Sequence, residues 1–172
     1  MTTTMKDVAR IWIGVILIGL AYGISHDLIT AHAWTPYFTV HHPYFGVDSP
    51  ILLAFIWGVI ATWPSLIAGG LIAGAALGFR LPKLEPNLTL RRTAILSAVC
   101  WVISLAWIPG IWIFTRRVEL TDRPSDWDER SIAIGVGMAH ASSYTTTAIA
   151  VLILILWILA SRMKLERTQR DG

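Results

Sequence analysis

Four long apolar runs constrain the fold more than any other feature of this chain. They cover about residues 8–29, 51–79, 93–114 and 131–160. Each approaches or exceeds the ~20 residues that an α-helix needs to cross ~30 Å of hydrocarbon. None shows the two-residue alternation of a membrane β-barrel strand. With 55% hydrophobic and 15% charged residues, we predict an all-α integral membrane four-helix bundle that forms a single domain over residues 1–172.

The distribution of basic residues predicts the orientation of the bundle, because lysine and arginine collect on the cytoplasmic side of a membrane. Four arginines flank one predicted side, namely Arg116, Arg117, Arg123 and Arg130. The other ten basic residues flank the opposite side: Lys6, Arg10, Arg80, Lys83, Arg91, Arg92, Arg162, Lys164, Arg167 and Arg170. We therefore expect both termini to be cytoplasmic and the histidine-rich connector 30–50 to be extracytoplasmic, in a bacterial inner membrane.

The same placement of charge excludes a nucleic-acid partner, since the basic residues lie at span ends and form no separate basic surface. The single cysteine, Cys100, excludes an intrachain disulfide, a Cys-x-x-Cys redox pair and a thiolate zinc site.

Ala31-His32-Ala33 has the form of a signal-peptidase site. Because the chain retains everything from Met1, we expect the first apolar run to be a transmembrane helix.

Two polar stripes occur at similar depth in spans one and four. His140, Ser143, Tyr144 and Thr147 share one helical face. Tyr22, His26 and Thr30 form a comparable stripe beside Asp27. At ~1.5 Å per residue, His26 and His140 lie ~24 Å and ~33 Å from the basic anchors Arg10 and Arg162. Polar groups at this depth face the bundle interior, so the two stripes are expected to converge.

The convergence predicts a metal or haem site. Imidazole and carboxylate groups bind zinc, copper and non-haem iron, and two facing imidazoles bind a b-type haem. The predicted metal ligands are His26, Asp27 and His140, with Tyr22, Thr30, Ser143 and Tyr144 around the cofactor. Asp27 or Tyr144 would accept a hydrogen bond from the second nitrogen of a ligating histidine. A hydrogen-bonded cluster that only locks helix packing explains the same residues.

Glycines predict where helices approach closely. Gly70, Gly74 and Gly78 form two small-x-x-x-small steps in span two, and Gly19 and Gly23 form one in span one. We expect both sets to pack inside the bundle, with a homo-oligomer or a larger membrane complex as the alternative partner. Prolines in Trp63-Pro64 and Pro109-Gly110 predict kinks in spans two and three.

The order Tyr22-Gly23-x-x-His26-Asp27-x-x-Thr30, followed by Tyr37-Phe38-Thr39-x-x-His42-Pro43, resembles a group of small bacterial integral membrane proteins. Their signature reads Y-G-x-x-H-D-x-[IV]-T … P-E-Y-F-T-x-x-H-P. Pro36 stands where that signature has glutamate. The resemblance covers about twenty-two residues. It implies that His26, Asp27, Tyr37 and His42 act as a unit, and it implies no particular activity.

Familiar enzyme motifs do not occur in the chain. There is no Walker loop, no H-E-x-x-H, no dinucleotide glycine fingerprint and no nucleophile elbow. Three functions remain: a metal- or haem-binding membrane protein, a non-catalytic accessory subunit of a larger membrane complex, and a small-solute carrier lined by residues 142–147. We favour the first, because ionisable groups inside a membrane are costly and are retained mainly for function.

Overall fold

The computed structural model describes residues 5–78, 82–117 and 126–171. Helices are the only regular secondary structure in those ranges. They are α1 (Met5–Ala33), α2 (Pro36–Thr39), α3 (Pro50–Ile60), α4 (Trp63–Leu77), α5 (Pro86–Leu105), α6 (Trp107–Arg117) and α7 (Trp127–Asp171). The all-α prediction is confirmed for the described residues.

Three helical segments are long and apolar enough to cross a membrane: Met5–Ala33, Pro86–Arg117 and Trp127–Asp171. The pair α3 and α4 makes a fourth if the two helices are counted as one broken span. Large aliphatic side chains such as Leu17, Val102 and Leu152 are more than half exposed, as expected for surfaces that contact lipid. The chain is therefore a membrane-embedded helical protein.

Proline explains where the second apolar run is broken. Helix α3 ends at Ile60, and α4 begins at Trp63 with a bend of 41°. Pro64 has no N–H to donate to the carbonyl of Ile60 four residues earlier, and its ring crowds that turn. The predicted kink at Trp63-Pro64 is confirmed. In the third run, helix α5 ends at Leu105, four residues before Pro109, and α6 continues from Trp107.

Glycine brings α1 against α3 at backbone distance. A Cβ atom built on Gly58 would lie 2.7 Å from the N and Cα atoms of Ile24, and one on Gly23 would lie 2.7 Å from the carbonyl oxygen of Gly58. One built on Gly19 would lie 2.7 Å from Cβ of Ser65. The expected packing of Gly19 and Gly23 inside the bundle is confirmed, and it fixes the part of α1 that carries His26.

The same expectation is wrong for Gly70 and Gly74 of α4. A Cβ atom on Gly70 or Gly74 meets no described atom within 4 Å, and one on Gly78 meets only Gly74 of its own chain segment. Trp12 of α1 packs instead on Gly69, with its Nε1 donating to the carbonyl of Leu66 at 2.8 Å. Gly70 and Gly74 are exposed and line a groove beside Val8 and Trp12 of α1, at the edge of the bundle.

Two apolar clusters hold the bundle at opposite ends. One contains Ile11, Val15, Ile72 and Leu154 near the chain termini, and the other contains Ala31, Phe38 and Leu53 under α2. Between α7 and α4, the fully buried guanidinium of Arg162 donates to the carbonyls of Ala75, Gly78 and Pro82. Helix C-termini leave such carbonyls without partners, so this arginine joins α7 to the end of α4.

Candidate functional site

Helices α1 and α7 bring His26, Asp27 and His140 together near α2. His26 Nδ1 lies 3.2 Å from Asp27 Oδ1, and His140 Nε2 lies 3.4 Å from the same oxygen. The imidazole rings meet edge to face with centroids 4.9 Å apart. The exposed fractions are 2% for His26, 5% for Asp27 and 7% for His140. The three residues that sequence reasoning singled out as metal ligands therefore form one buried cluster.

The hydrogen-bond acceptors around the two rings determine their tautomers. His26 Nδ1 faces a carboxylate oxygen, and His140 Nδ1 lies 3.0 Å from the carbonyl oxygen of Val136. Both oxygens only accept hydrogen bonds, so each Nδ1 carries the proton. In the neutral form of each ring, the lone pair is then on Nε2. This is the arrangement of metal-binding histidines, which donate their other N–H to a carboxylate or a backbone carbonyl.

Both Nε2 atoms are buried and have no hydrogen-bond partner among the described residues. His140 Nε2 lies 3.4 Å from Asp27 Oδ1 without the geometry of a hydrogen bond, and an ion pair between them would require a protonated His140. Leaving a buried polar atom unsatisfied costs about 1–3 kcal/mol. Two such atoms therefore lie on facing rings in one buried cluster.

Helix α2 covers this cluster from the connector between α1 and α3. The Tyr37 ring stacks on His140 with centroids 4.1 Å apart, and Phe38 meets the same imidazole at 5.5 Å. His42 donates from Nδ1 to the Tyr37 carbonyl at 2.8 Å, which fixes the turn after α2. Burial, with smaller effects of Tyr144 and Asp27, raises the pKa of Tyr37 to about 12. Tyr37 thus packs on the cluster as a neutral ring.

Tyr22 ties the cluster to two further helices. Its ring is stacked with that of His26 at a centroid distance of 5.9 Å. Its hydroxyl donates to Ser143 Oγ at 2.8 Å and lies 3.4 Å from Ser104 Oγ. Helices α1, α5 and α7 therefore meet through three hydroxyl groups one turn below the imidazoles, and this contact sets the rotation of α1 relative to α7.

A cavity of about 420 Å³ extends from the cluster along the bundle. His26, Asp27, His140 and Ser143 line one end, and apolar residues such as Val15 and Leu154 line the other. Tyr144 also lines it and is 56% exposed. The cluster of His26, Asp27 and His140 is thus one wall of a largely apolar space.

The remaining predicted residues take different positions. Thr30 is buried, but its hydroxyl bonds to carbonyls of its own helix, 3.2 Å from that of His26. His42 lies outside the cluster, behind Tyr37. In the proposed carrier stripe, Thr145 and Thr146 bond to carbonyls of α7, and Ser143, Tyr144 and Thr147 line the cavity.

Sequence reasoning missed three contributors. Ser104 contacts Tyr22, Phe38 packs on His140, and the Val136 carbonyl accepts the proton of His140 Nδ1. The spacing of four residues between Val136 and His140 was the one available signal, because helical side chains reach the preceding turn. Ser104 and Phe38 depend on which helices meet, and no local pattern gives that.

No protein-family model, curated protein or solved structure matches the chain.

Proposed function

We propose that the protein binds one transition-metal ion through His26, Asp27 and His140. The observation that carries the proposal is the pair of buried imidazoles whose Nε2 atoms have no hydrogen-bond partner among the described residues, while each Nδ1 faces an acceptor oxygen. A metal ion accepts such lone pairs, which removes the cost of burying them unsatisfied.

The donor set selects the class of ion. Two imidazole nitrogens and one carboxylate favour zinc, copper or iron(II) over magnesium or calcium, which prefer oxygen ligands. The three ligand atoms lie within 4.8 Å of one another. A tetrahedral zinc site with bonds of ~2.0–2.1 Å has its ligands ~3.3 Å apart. The Asp27 carboxylate would have to rotate away from His26 Nδ1, because it cannot accept from that nitrogen and share an ion with His26 Nε2. This rotation would close the cluster around an ion.

A single ion fits this geometry better than the b-type haem that two histidines also allow. The two rings touch edge to face at 4.9 Å, whereas axial ligands lie on opposite faces of a macrocycle. Tyr37 stacked on His140 at 4.1 Å fills the space beside that ring. The proposal is therefore a mononuclear site with three protein ligands.

We also propose a four-span bundle in a bacterial inner membrane, with both termini cytoplasmic and the cluster in the outer half. The surplus of lysine and arginine at the end opposite α2 supports this orientation. The bend at Trp63-Pro64 supports counting α3 and α4 as one span. In this arrangement, α2 and the connector 34–49 lie on the extracytoplasmic side.

The test is metal content after purification from metal-supplemented cells. Elemental analysis is expected to find about one zinc, copper or iron per chain in the wild type, and a sharp fall in His26→Ala and His140→Ala. His32→Ala is the matched control, because His32 lies on the same helix but is exposed and bonds to the Leu28 carbonyl. A wild-type protein without metal, or equal loss in the control, would contradict the proposal.

A second candidate is an accessory subunit of a larger membrane complex. The open face of Gly70 and Gly74 favours it, because a transmembrane helix packs closely against such residues. In that case, the histidine cluster would only stabilise helix packing. Co-purification of a partner that Gly70→Leu removes, from protein that contains no metal, would favour this function over metal binding.

A further inference from the structure

We propose that the cavity beside the histidine cluster binds a single-chain lipid with a phenolic head group, whose hydroxyl oxygen takes the open position on the metal. The inference rests on the proposed metal site. A site with three protein ligands keeps its fourth position for water or substrate. The three ligands also line the cavity, so that position faces the cavity.

The cavity has its exposed lining residues on α4 and α7, and we place its mouth toward the bilayer there. Its lining residues on α4 and α7 include Trp63, Ile67, Leu71 and Tyr144, which are 54–62% exposed. By contrast, Val15 of α1 and Cys100 of α5 form a buried back wall. Because the mouth lies along helices that cross the membrane, a molecule dissolved in lipid reaches the cluster without crossing water.

The shape and polarity of the cavity select a molecule with one polar end. From His26 to Val15, the wall runs eleven residues along α1, or ~16 Å of helix. The ionisable side chains His26, Asp27 and His140 lie at one end. The far end is lined by aliphatic residues such as Ile72 and Leu154, with Thr93, whose hydroxyl bonds to the Thr89 carbonyl of its own helix. An alkyl or prenyl chain fits the apolar part, because aliphatic side chains there take the place of the lipid that surrounds such a chain in the bilayer.

The residues at the polar end favour a phenol over an acidic lipid. No lysine or arginine lies among the described residues of the lining, and Asp27 offsets one charge of the ion, so no side chain there adds to the hold of the ion on a phosphate or a fatty-acid carboxylate. Tyr22, which stacks on His26, lines the cavity together with Trp63 and Tyr144. Aromatic rings prefer other aromatic rings in offset or edge contacts, and a phenol also supplies a hydroxyl for the metal.

The test uses the full chain loaded with Co²⁺ in lipid nanodiscs, with 4-dodecylphenol as the probe. Calorimetry measures its affinity, and the visible spectrum of Co²⁺ reports a change of ligand. We expect saturable binding that shifts the cobalt absorption. We expect at least tenfold weaker binding of 4-dodecylanisole, which lacks the hydroxyl, and of 1-dodecanol and dodecanoate, which lack the aromatic head.

Two tryptophan variants on α7 locate the binding. Thr147 lines the cavity, so Thr147→Trp should fill it and weaken phenol binding at least tenfold while cobalt content stays at the wild-type level. Thr145 is exposed and outside the lining, and Thr145→Trp should bind phenol like the wild type. An equal effect of the two variants would refute the cavity as the binding site.

Failure of this inference is distinguishable from failure of the metal proposal. Full cobalt content with no response to dodecylphenol would overturn the lipid site and leave the metal site standing. A chain that binds no cobalt would overturn both. Equal affinity for dodecylphenol and dodecylanisole, or tighter binding of dodecanoate, would refute the phenolic hydroxyl as the recognised group.

Discussion

The backbone contact between Gly58 and α1 gives the sharpest stability prediction. The Cβ atom of Gly58→Ala would lie 2.7 Å from both N and Cα of Ile24, about 0.7 Å short of the 3.4 Å at which ordinary contacts begin. Backbone atoms cannot rotate away as a side chain does, so α1 and α3 must separate. Overpacking of this kind costs about 1–3 kcal/mol, and we expect that loss in the free energy of unfolding.

Gly70→Ala is the matched control, because it makes the same substitution in the neighbouring helix with no described atom within 4 Å of the new carbon. Alanine is the better helix former by about 0.8–1.0 kcal/mol, so this variant should be neutral or slightly more stable. Reversible unfolding in mixed micelles would measure both variants. Equal stability of Gly58→Ala and Gly70→Ala would refute the close packing of α1 on α3.

A double variant tests whether the two glycines share one contact. Gly23→Ala alone would place its Cβ 2.7 Å from the carbonyl oxygen of Gly58 and should also destabilise the fold. Once the helices have separated to admit one methyl group, the second costs less. The loss in Gly23→Ala/Gly58→Ala should therefore be smaller than the sum of the two single losses. A strictly additive result would place the two substitutions in independent contacts.

Further predictions concern Arg162, Tyr22 and Tyr37. Arg162→Ala leaves three carbonyls without their guanidinium donor and should lower the free energy of unfolding by about 3 kcal/mol or more. Arg170 is exposed, and Arg170→Ala should change the free energy of unfolding by less than ~0.5 kcal/mol. Tyr22→Phe removes the 2.8 Å bond to Ser143 and should cost about 1 kcal/mol, whereas Tyr44→Phe, at an exposed residue, should leave stability unchanged. The folded-state pKa of Tyr37 is about 12 against an ordinary 10.0. The contribution of neutral Tyr37 to the free energy of unfolding is therefore complete below pH 10 and is lost between pH 10 and 12. Phenolate absorbance should show this late ionisation, and Tyr37→Phe should remove it.

The helical content and the approximate positions of the spans followed from the sequence, because hydrocarbon requires long apolar helices whatever their neighbours are. The break after Ile60 followed as well, since proline acts through its own backbone. The convergence of His26, Asp27 and His140 followed from a simpler argument. Polar residues at similar depth in different spans avoid lipid by facing the bundle interior, and there they meet one another.

The sequence does not show which helices contact each other. The pattern Gly70-x-x-x-Gly74 is as good a packing motif as Gly19-x-x-x-Gly23, yet only the latter contacts another helix in the described part of the chain. The contacts of Ser104 with Tyr22 and of Tyr37 with His140 depend in the same way on helix rotation and on the path of the connector. Local spacing shows which face of a helix is suited to contact and not which partner occupies it.

The unbroken length of α7 links the histidine cluster mechanically to the far side of the membrane. Its 45 residues span ~68 Å, more than twice the ~30 Å of hydrocarbon. From His140 to Asp171, the helix covers ~46 Å. Because α4 holds it at Arg162, the arm toward His140 is ~33 Å long and the arm toward Asp171 is ~14 Å long. A tilt of ~5° about Arg162 therefore moves the imidazole end by ~3 Å and the C-terminal end by ~1 Å in the opposite direction.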